Sequence, residues 1–243
     1  MDPDEKHPPR LKRKAWEELR GPLQAQLHAL QVAARAASLP TVILFEGWDA
    51  AGKGASIQVL VEALDPRGFK TWPIRAPRGE EKAYPWLWRF WMKLPLRGEI
   101  AIFDRSWYSQ ALALDQEEER RRAYRDIVEL EQMLVNDGYA LVKFWLHIER
   151  EKQRRRLKLR ARHVPAERLA ESWAQNRNYN AFAQLVKEML DKTDSPGAAW
   201  TVIEAADPHY TWWQVCRTVI ERLSDALRTR GVPVEAWQSQ PTG

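Results

Sequence analysis

The sequence predicts an α/β fold: a parallel sheet with helices on both of its faces. Three observations carry the prediction. Short β-branched or aromatic runs alternate with stretches of helical apolar spacing along most of the chain. A glycine-bounded segment, residues 47–54, sits between the most strongly apolar run and a helical stretch. The length of 243 residues, 44% of them hydrophobic, suits one α/β domain with a full core.

Taken in order, residues 1–9 carry three prolines and read as disordered, and residues 10–230 read as the single domain. Trp16, Leu19, Leu23, Leu27 and Leu30 have the spacing of an amphipathic helix over 10–38, with a break expected near Gly21-Pro22. Thr41 to Phe45 is a buried-strand run, followed by a helix over 53–64. Four further strands are expected at 69–74, 100–103, 141–146 and 200–203. Helical patterns cover 84–93, 119–135, 149–161, 173–190 and 211–228, and residues 231–243 read as a loose tail.

The bulk chemistry narrows the function. A net charge of +5 favours an anionic partner. No apolar stretch reaches membrane-spanning length, and the charged N-terminus does not resemble a signal peptide. A single cysteine, Cys216, fits a reducing compartment, so a cytoplasmic location is expected, with no membrane partner. The basic segment described below lacks interleaved aromatics, which argues against nucleic acid. The five histidines show no metal-ligand spacing, and His147, at the end of an apolar strand, reads as a core residue, which disfavours a phosphohistidine step.

Gly47-Trp-Asp-Ala-Ala-Gly-Lys-Gly54 has the glycine and lysine spacing of a phosphate-binding loop. Gly47, Ala50, Ala51, Gly52 and Gly54 would curl the backbone so that its N–H groups converge on one anion, and Lys53 would add a mobile full charge. Gly54 replaces the usual Ser or Thr that helps to hold magnesium. Asp49, inside the loop, is therefore a candidate metal ligand or general base. Ile100 to Asp104 is a strand ending in an acid. Asp104 there could hold Mg²⁺ against phosphate oxygens, and Arg105 could stabilise the charge of a moving phosphoryl group. Between Arg150 and Arg162 eight cations face a single acid, Glu151. So dense a cluster, with Arg150, Arg154, Lys158 and Arg162 on one helical face and Arg156 with Arg160 near another, suits a polyanion lying along a helix.

Together these residues resemble the polyphosphate kinase 2 family. The matching stretches are residues 45–54, 64–68, 86–91, Phe103-Asp-Arg-Ser-Trp-Tyr108 and Val142-Lys-Phe-Trp-Leu-His147, and the likeness is strongest to the AMP-phosphorylating branch. The resemblance implies a three-layer P-loop kinase fold with a helical lid over about residues 150–178. It also implies Mg²⁺-dependent phosphoryl transfer between polyphosphate and a nucleoside mono- or diphosphate, and a homodimer or homotetramer. Lys53 would bind the transferred phosphate, Asp49 and Asp104 would serve the metal and acceptor phosphate, and Arg105 would offset developing charge. Arg155, Arg156 and Arg160 would track the polyphosphate. The chain departs from the family at Ser109-Gln110, where members carry a basic residue, and in a shorter lid after Pro165 that lacks the usual lysines. Two other readings are a polyphosphate- or nucleotide-binding protein with reduced catalysis, and an ATP-dependent small-molecule kinase.

Overall fold

The computed structural model describes residues 9–234. The disorder expected over residues 1–8 and the tail beyond residue 234 lie outside the described residues. Its elements run α1 (Arg13–Ala36), β1 (Thr41–Gly47), α2 (Lys53–Val61), β2 (Phe69–Pro73), α3 (Trp88–Trp91), β3 (Ile100–Asp104), α4 (Trp107–Leu112) and α5 (Glu117–Asn136). Then follow β4 (Ala140–His147), α6 (Arg150–Arg160), α7 (Ala166–Arg177), α8 (Tyr179–Thr193), β5 (Trp200–Glu204) and α9 (Pro208–Thr229).

The five strands form one parallel sheet in the order β2-β3-β1-β4-β5. Parallel strands are buried on both faces and need unbroken apolar runs. The centre of the sheet obeys: Val42, Ile43, Leu44 and Phe45 of β1 are fully buried, as are Ile102 and Phe103 of β3. The helices α1, α2 and α9 pack together over β1, β3, β4 and β5, while α4, α5 and α8 form a second group in which α5 packs on β4. The register places Phe45 beside Asp104. The ends of β1 and β3 therefore meet at the carboxyl edge of the sheet, where α/β proteins bind ligands. Among the described residues no helix is long and apolar enough to cross a membrane.

All five expected strands are present; three helical expectations need correction. The helix α1 runs unbroken through Gly21-Pro22. Trp16 on one side and Leu27, Leu30, Ala33 and Ala34 on the other are buried, and the Trp16 ring lies 5.7 Å from Trp212 of α9. Packing on both flanks carries the helix across the proline, whose missing N–H leaves a solvent-facing carbonyl open. Over 84–93 only Trp88–Trp91 is α-helical. Pro85 forces Tyr84 into an extended conformation, and aromatic contacts shape the remainder, with Tyr84 stacked on Trp88 at 4.1 Å. The pattern over 173–190 splits at Asn178 into α7 and α8. There the Arg150 guanidinium takes the last carbonyls of α7, at Asn176 and Arg177, and Tyr179 turns inward to stack on Trp48. The start of the expected loose tail is also docked, since Val234 is fully buried in the core.

Candidate phosphate-transfer site

The loop after β1 is curled by its glycines. Gly47 has φ 136° and Gly52 has φ 107°. A Cβ on Gly47 would fall 2.7 Å from the Leu146 backbone nitrogen, so only glycine fits this approach to β4. Ala50 is left-handed too, at φ 63°, without glycine's freedom. Its carbonyl and that of Ala51 each accept from Arg156 Nη1 at 3.0 Å. Among the described residues nothing accepts from the N–H groups of Ala50, Gly52, Lys53, Gly54 and Ala55. Five donors at one helix N-terminus thus await an anion. The outer side of the loop is fixed by Trp48, which is buried, stacks on Tyr179 at 3.9 Å and donates from Nε1 to His147 Nδ1 at 3.3 Å.

The charges are interlocked. Lys53 Nζ curls back to donate to the carbonyls of Gly47 (2.8 Å) and Trp48 (3.1 Å), and lies 3.8 Å from Asp49 Oδ1. Arg105 Nη2 donates to Asp49 Oδ1 at 2.8 Å, and Ser172 Oγ to Asp49 Oδ2 at 2.8 Å. Burial alone would push the Asp49 carboxyl up, but Lys53, Arg105 and the Ser172 hydrogen bond outweigh it and hold the group below the usual carboxylate range. Burial likewise lowers Lys53, helped by Arg105 and opposed by Asp49. Burial works against the charge of Arg105 as well, yet Asp49, Glu46, Asp104 and Glu171 keep it above its ordinary value.

Arg105 has φ 63°, a strained value for a side-chain-bearing residue at the tip of β3. Its backbone N–H is pinned to the Phe45 carbonyl at 3.0 Å. Just beyond it, Glu46 is buried in β1 and accepts from the N–H of Ser106 (2.7 Å) and Ser109 (3.1 Å) and from both hydroxyls. One carboxylate thereby seats the N-terminus of α4 against the loop strand. Sequence reasoning missed Glu46 as a functional residue; the signal was an acid closing an otherwise apolar strand run, next to Gly47. Asp104 is half-buried, and no other described residue hydrogen-bonds or ion-pairs with its carboxylate.

Two cavities meet at Asp104 and Arg105. One, about 560 Å³, is lined by Asp49, Gly52, Lys53, Gly54, Arg156 and Arg160. The other, about 600 Å³, is lined by Arg75, Pro77, Ser109, Gln110, Ala113 and Glu171. The buried Gln110 Oε1 has no hydrogen-bond partner among the described residues.

Of the expected polyanion-tracking arginines, Arg160 lines the loop cavity, and Arg155 is exposed outside its lining. Arg156 also lines that cavity, and it has a further role that the sequence did not predict. Its guanidinium bonds four backbone carbonyls, those of Ala50 and Ala51 and, through Nη2, Ala205 (2.8 Å) and Ala206 (3.1 Å). These bonds brace the loop and occupy both terminal nitrogens, leaving Nε–H, among the described residues, as the guanidinium's uncommitted donor. Arg150 is similarly spent on capping α7, whereas Arg154, Arg155, Lys158, Arg160 and Arg162 are exposed with no ion pair among the described residues.

No group of three or more His, Cys, Asp or Glu side chains forms a ready metal cage among the described residues. Magnesium needs none, because it keeps several waters and takes one or two carboxylates together with phosphate oxygens. Asp104 offers an open carboxylate for that purpose. Asp49 already accepts one hydrogen bond at each oxygen, from Arg105 and from Ser172, and keeps a lone pair on each.

The class that fold and site define is an α/β protein with an anion-receptive loop and an acid–arginine pair beside it. The profile of the polyphosphate kinase 2 family matches residues 10–231, and the chain belongs to that family. It is 40% identical to a polyphosphate:AMP phosphotransferase of Pseudomonas syringae pv. tomato over 76% of this chain and 39% of the relative. It is 35% identical to an ADP-polyphosphate phosphotransferase of Rhizobium meliloti over 83% of this chain and 68% of that relative. A polyphosphate kinase 2 crystal structure from Pseudomonas aeruginosa superposes with a TM-score of 0.85 at 36% identity, covering 90% of this chain and 49% of that one. The chain thus spans less than half of the polyphosphate:AMP phosphotransferase it matches.

Proposed function

We propose that this protein transfers a phosphoryl group between inorganic polyphosphate and a nucleoside mono- or diphosphate, with AMP the first acceptor to test. The observation that carries the reading is the pair of cavities sharing Asp104 and Arg105. The loop cavity, with its five open N–H groups, Lys53 and Arg160, suits the donor polyanion. The exposed cations Arg154, Arg155, Lys158 and Arg162 give the rest of that chain a path along α6. The second cavity, with Arg75, Ser109 and Gln110 in its wall, suits the acceptor. AMP and ADP relatives both support a nucleotide acceptor.

In the forward direction an oxygen of the acceptor's terminal phosphate attacks the end phosphorus of the polyphosphate. One P–O bond forms, the bridging P–O bond breaks, and the shortened polyphosphate leaves with the electron pair. The attacking oxygen is already ionised near neutral pH, so no general base is required. That removes the base role from Asp49. Arg105, held at the junction, offsets the charge on the moving group. The N–H groups of the loop fix the donor, and α6–α7 acts as a lid that keeps water from competing. Bound Mg²⁺ would neutralise phosphate oxygens, with Asp104 as its protein ligand. The reading includes a homodimeric or homotetrameric assembly and a cytoplasmic setting, the latter supported by the one buried, unpaired thiol, Cys216.

The test is incubation of Lys53→Ala beside wild type with Mg²⁺, polyphosphate and AMP or ADP. Loss of the next-higher nucleotide in the variant is expected. Undiminished turnover would contradict the assignment.

A further inference from the structure

Asp49 is bonded through every polar group it has. Its N–H donates to Gln175 Oε1 (2.9 Å), its carbonyl accepts from Gln153 Nε2 (3.2 Å), Oδ2 accepts from Ser172 and Oδ1 from Arg105. Three of these four contacts reach over from α6 and α7. The amides are ordered among themselves. Gln153 Nε2 also donates to Gln175 Oε1 at 2.7 Å, and Asn176 Nδ2 donates to Gln153 Oε1 at 2.9 Å. A backbone N–H can only donate and a carbonyl only accept, so Asp49 fixes which way both glutamine amides face.

We infer that Ser172 is a positioning residue for phosphoryl transfer, acting through Asp49, with Gln175 holding the loop backbone beneath it. The inference rests on the proposed function. A carboxylate inside an anion-binding loop repels the substrate unless it is neutralised and aimed. Ser172 is buried, and Asp49 Oδ2 accepts its hydroxyl's only hydrogen bond as donor. By occupying Oδ2 it leaves Oδ1 as the oxygen turned toward Arg105 and Lys53. Those two cations face the cavity in which the phosphate would lie. Without Ser172 the carboxylate can rotate, and both cations lose a fixed partner. Donor binding leans on the five open N–H groups, Lys53 and the cations of α6 together, and Ser172 touches none of these directly, so the donor stays held while the aim of the charges is lost.

Steady-state kinetics of Ser172→Ala and Ser172→Thr, each made in the wild-type and Asp49→Asn backgrounds, test this. Ser172→Ala should lower kcat about ten-fold, the scale of one hydrogen bond to a charged group, with KM for polyphosphate changed by less than about two-fold. Threonine should restore most of the rate. In the Asp49→Asn background the same alanine change should alter kcat by less than about two-fold, because the carboxylate charge that Ser172 aims is gone. Equal losses in both backgrounds, or a raised KM at constant kcat, would overturn the inference. Amide hydrogen exchange gives an answer without turnover. The Asp49 N–H should be protected in wild type and exposed in Gln175→Met, and an unprotected Asp49 amide in wild type would also overturn it. If wild type phosphorylated no nucleotide at all, the proposed function would fall while the exchange measurement still judged the positioning.

Discussion

Replacing Arg156 by alanine separates two roles that its place in a basic helix could equally suggest. The guanidinium serves four carbonyls, two in the phosphate loop and two after β5, and among the described residues no acid lies within ion-pair distance of it, although Asp207 and Glu204 act on it from further off. A hydrogen bond to a charged group is worth about 1.5–3 kcal/mol, but these four share one half-buried cation, and water can reach part of what it leaves. A loss of about 2–4 kcal/mol in unfolding free energy follows, which for a chain of this size lowers Tm by roughly 5–12 °C. The left-handed Ala50 would also lose the group that holds it, so KM for polyphosphate should rise. Urea and thermal melts with and without tripolyphosphate measure both effects. If Arg156 were only a polyanion contact, its removal would leave the melt unchanged and make the salt dependence of binding shallower. That result would refute the bracing role.

Three further outcomes are expected. Glu131 and Lys143 form a wholly buried pair at 2.7 Å, joined by the hydroxyl of Tyr108 and the indole N–H of Trp107. Glu131→Gln should cost about 3–5 kcal/mol in urea unfolding, because the ammonium is left without its counter-charge. Glu204 is pushed up to about 7, first by burial and then by Glu149. In the window from about 4.5 to 7 the native state holds more protons than the unfolded one, so this group's contribution falls as pH rises. Glu204→Gln should therefore raise the urea midpoint above pH 7 and leave it nearly unchanged at pH 4, below the window. Gly47→Ala, which drives a methyl group into the Leu146 backbone, should abolish phosphate binding measured by calorimetry, even where circular dichroism still reports a folded chain.

Strands, loop and the acid Asp104 were legible in the sequence because each is a local pattern: β-branched runs of strand length, glycines at fixed spacing, an acid at a strand tip. The distances then placed Asp49, Lys53, Asp104 and Arg105 together, as the parallel register of β1 and β3 requires. What the sequence hid is tertiary. Glu46 looks like a strand-end charge until α4 arrives with its two serines. Ser172 and Gln175 carry no motif, and only the return of α7 over the loop gives them Asp49. Arg156 is indistinguishable by type from Arg155, one residue earlier. The helical rotation of about 100° per residue turns one to the loop and the other to solvent. The continuity of α1 through Pro22 likewise depends on α9, nearly 200 residues further on.

The most direct measurement follows the phosphoryl group itself. Purified protein with Mg²⁺, polyphosphate and AMP, resolved by chromatography and ³¹P NMR, should yield ADP in step with loss of terminal polyphosphate residues. Tight, salt-sensitive polyphosphate binding with no nucleotide product across mono- and diphosphates would contradict it.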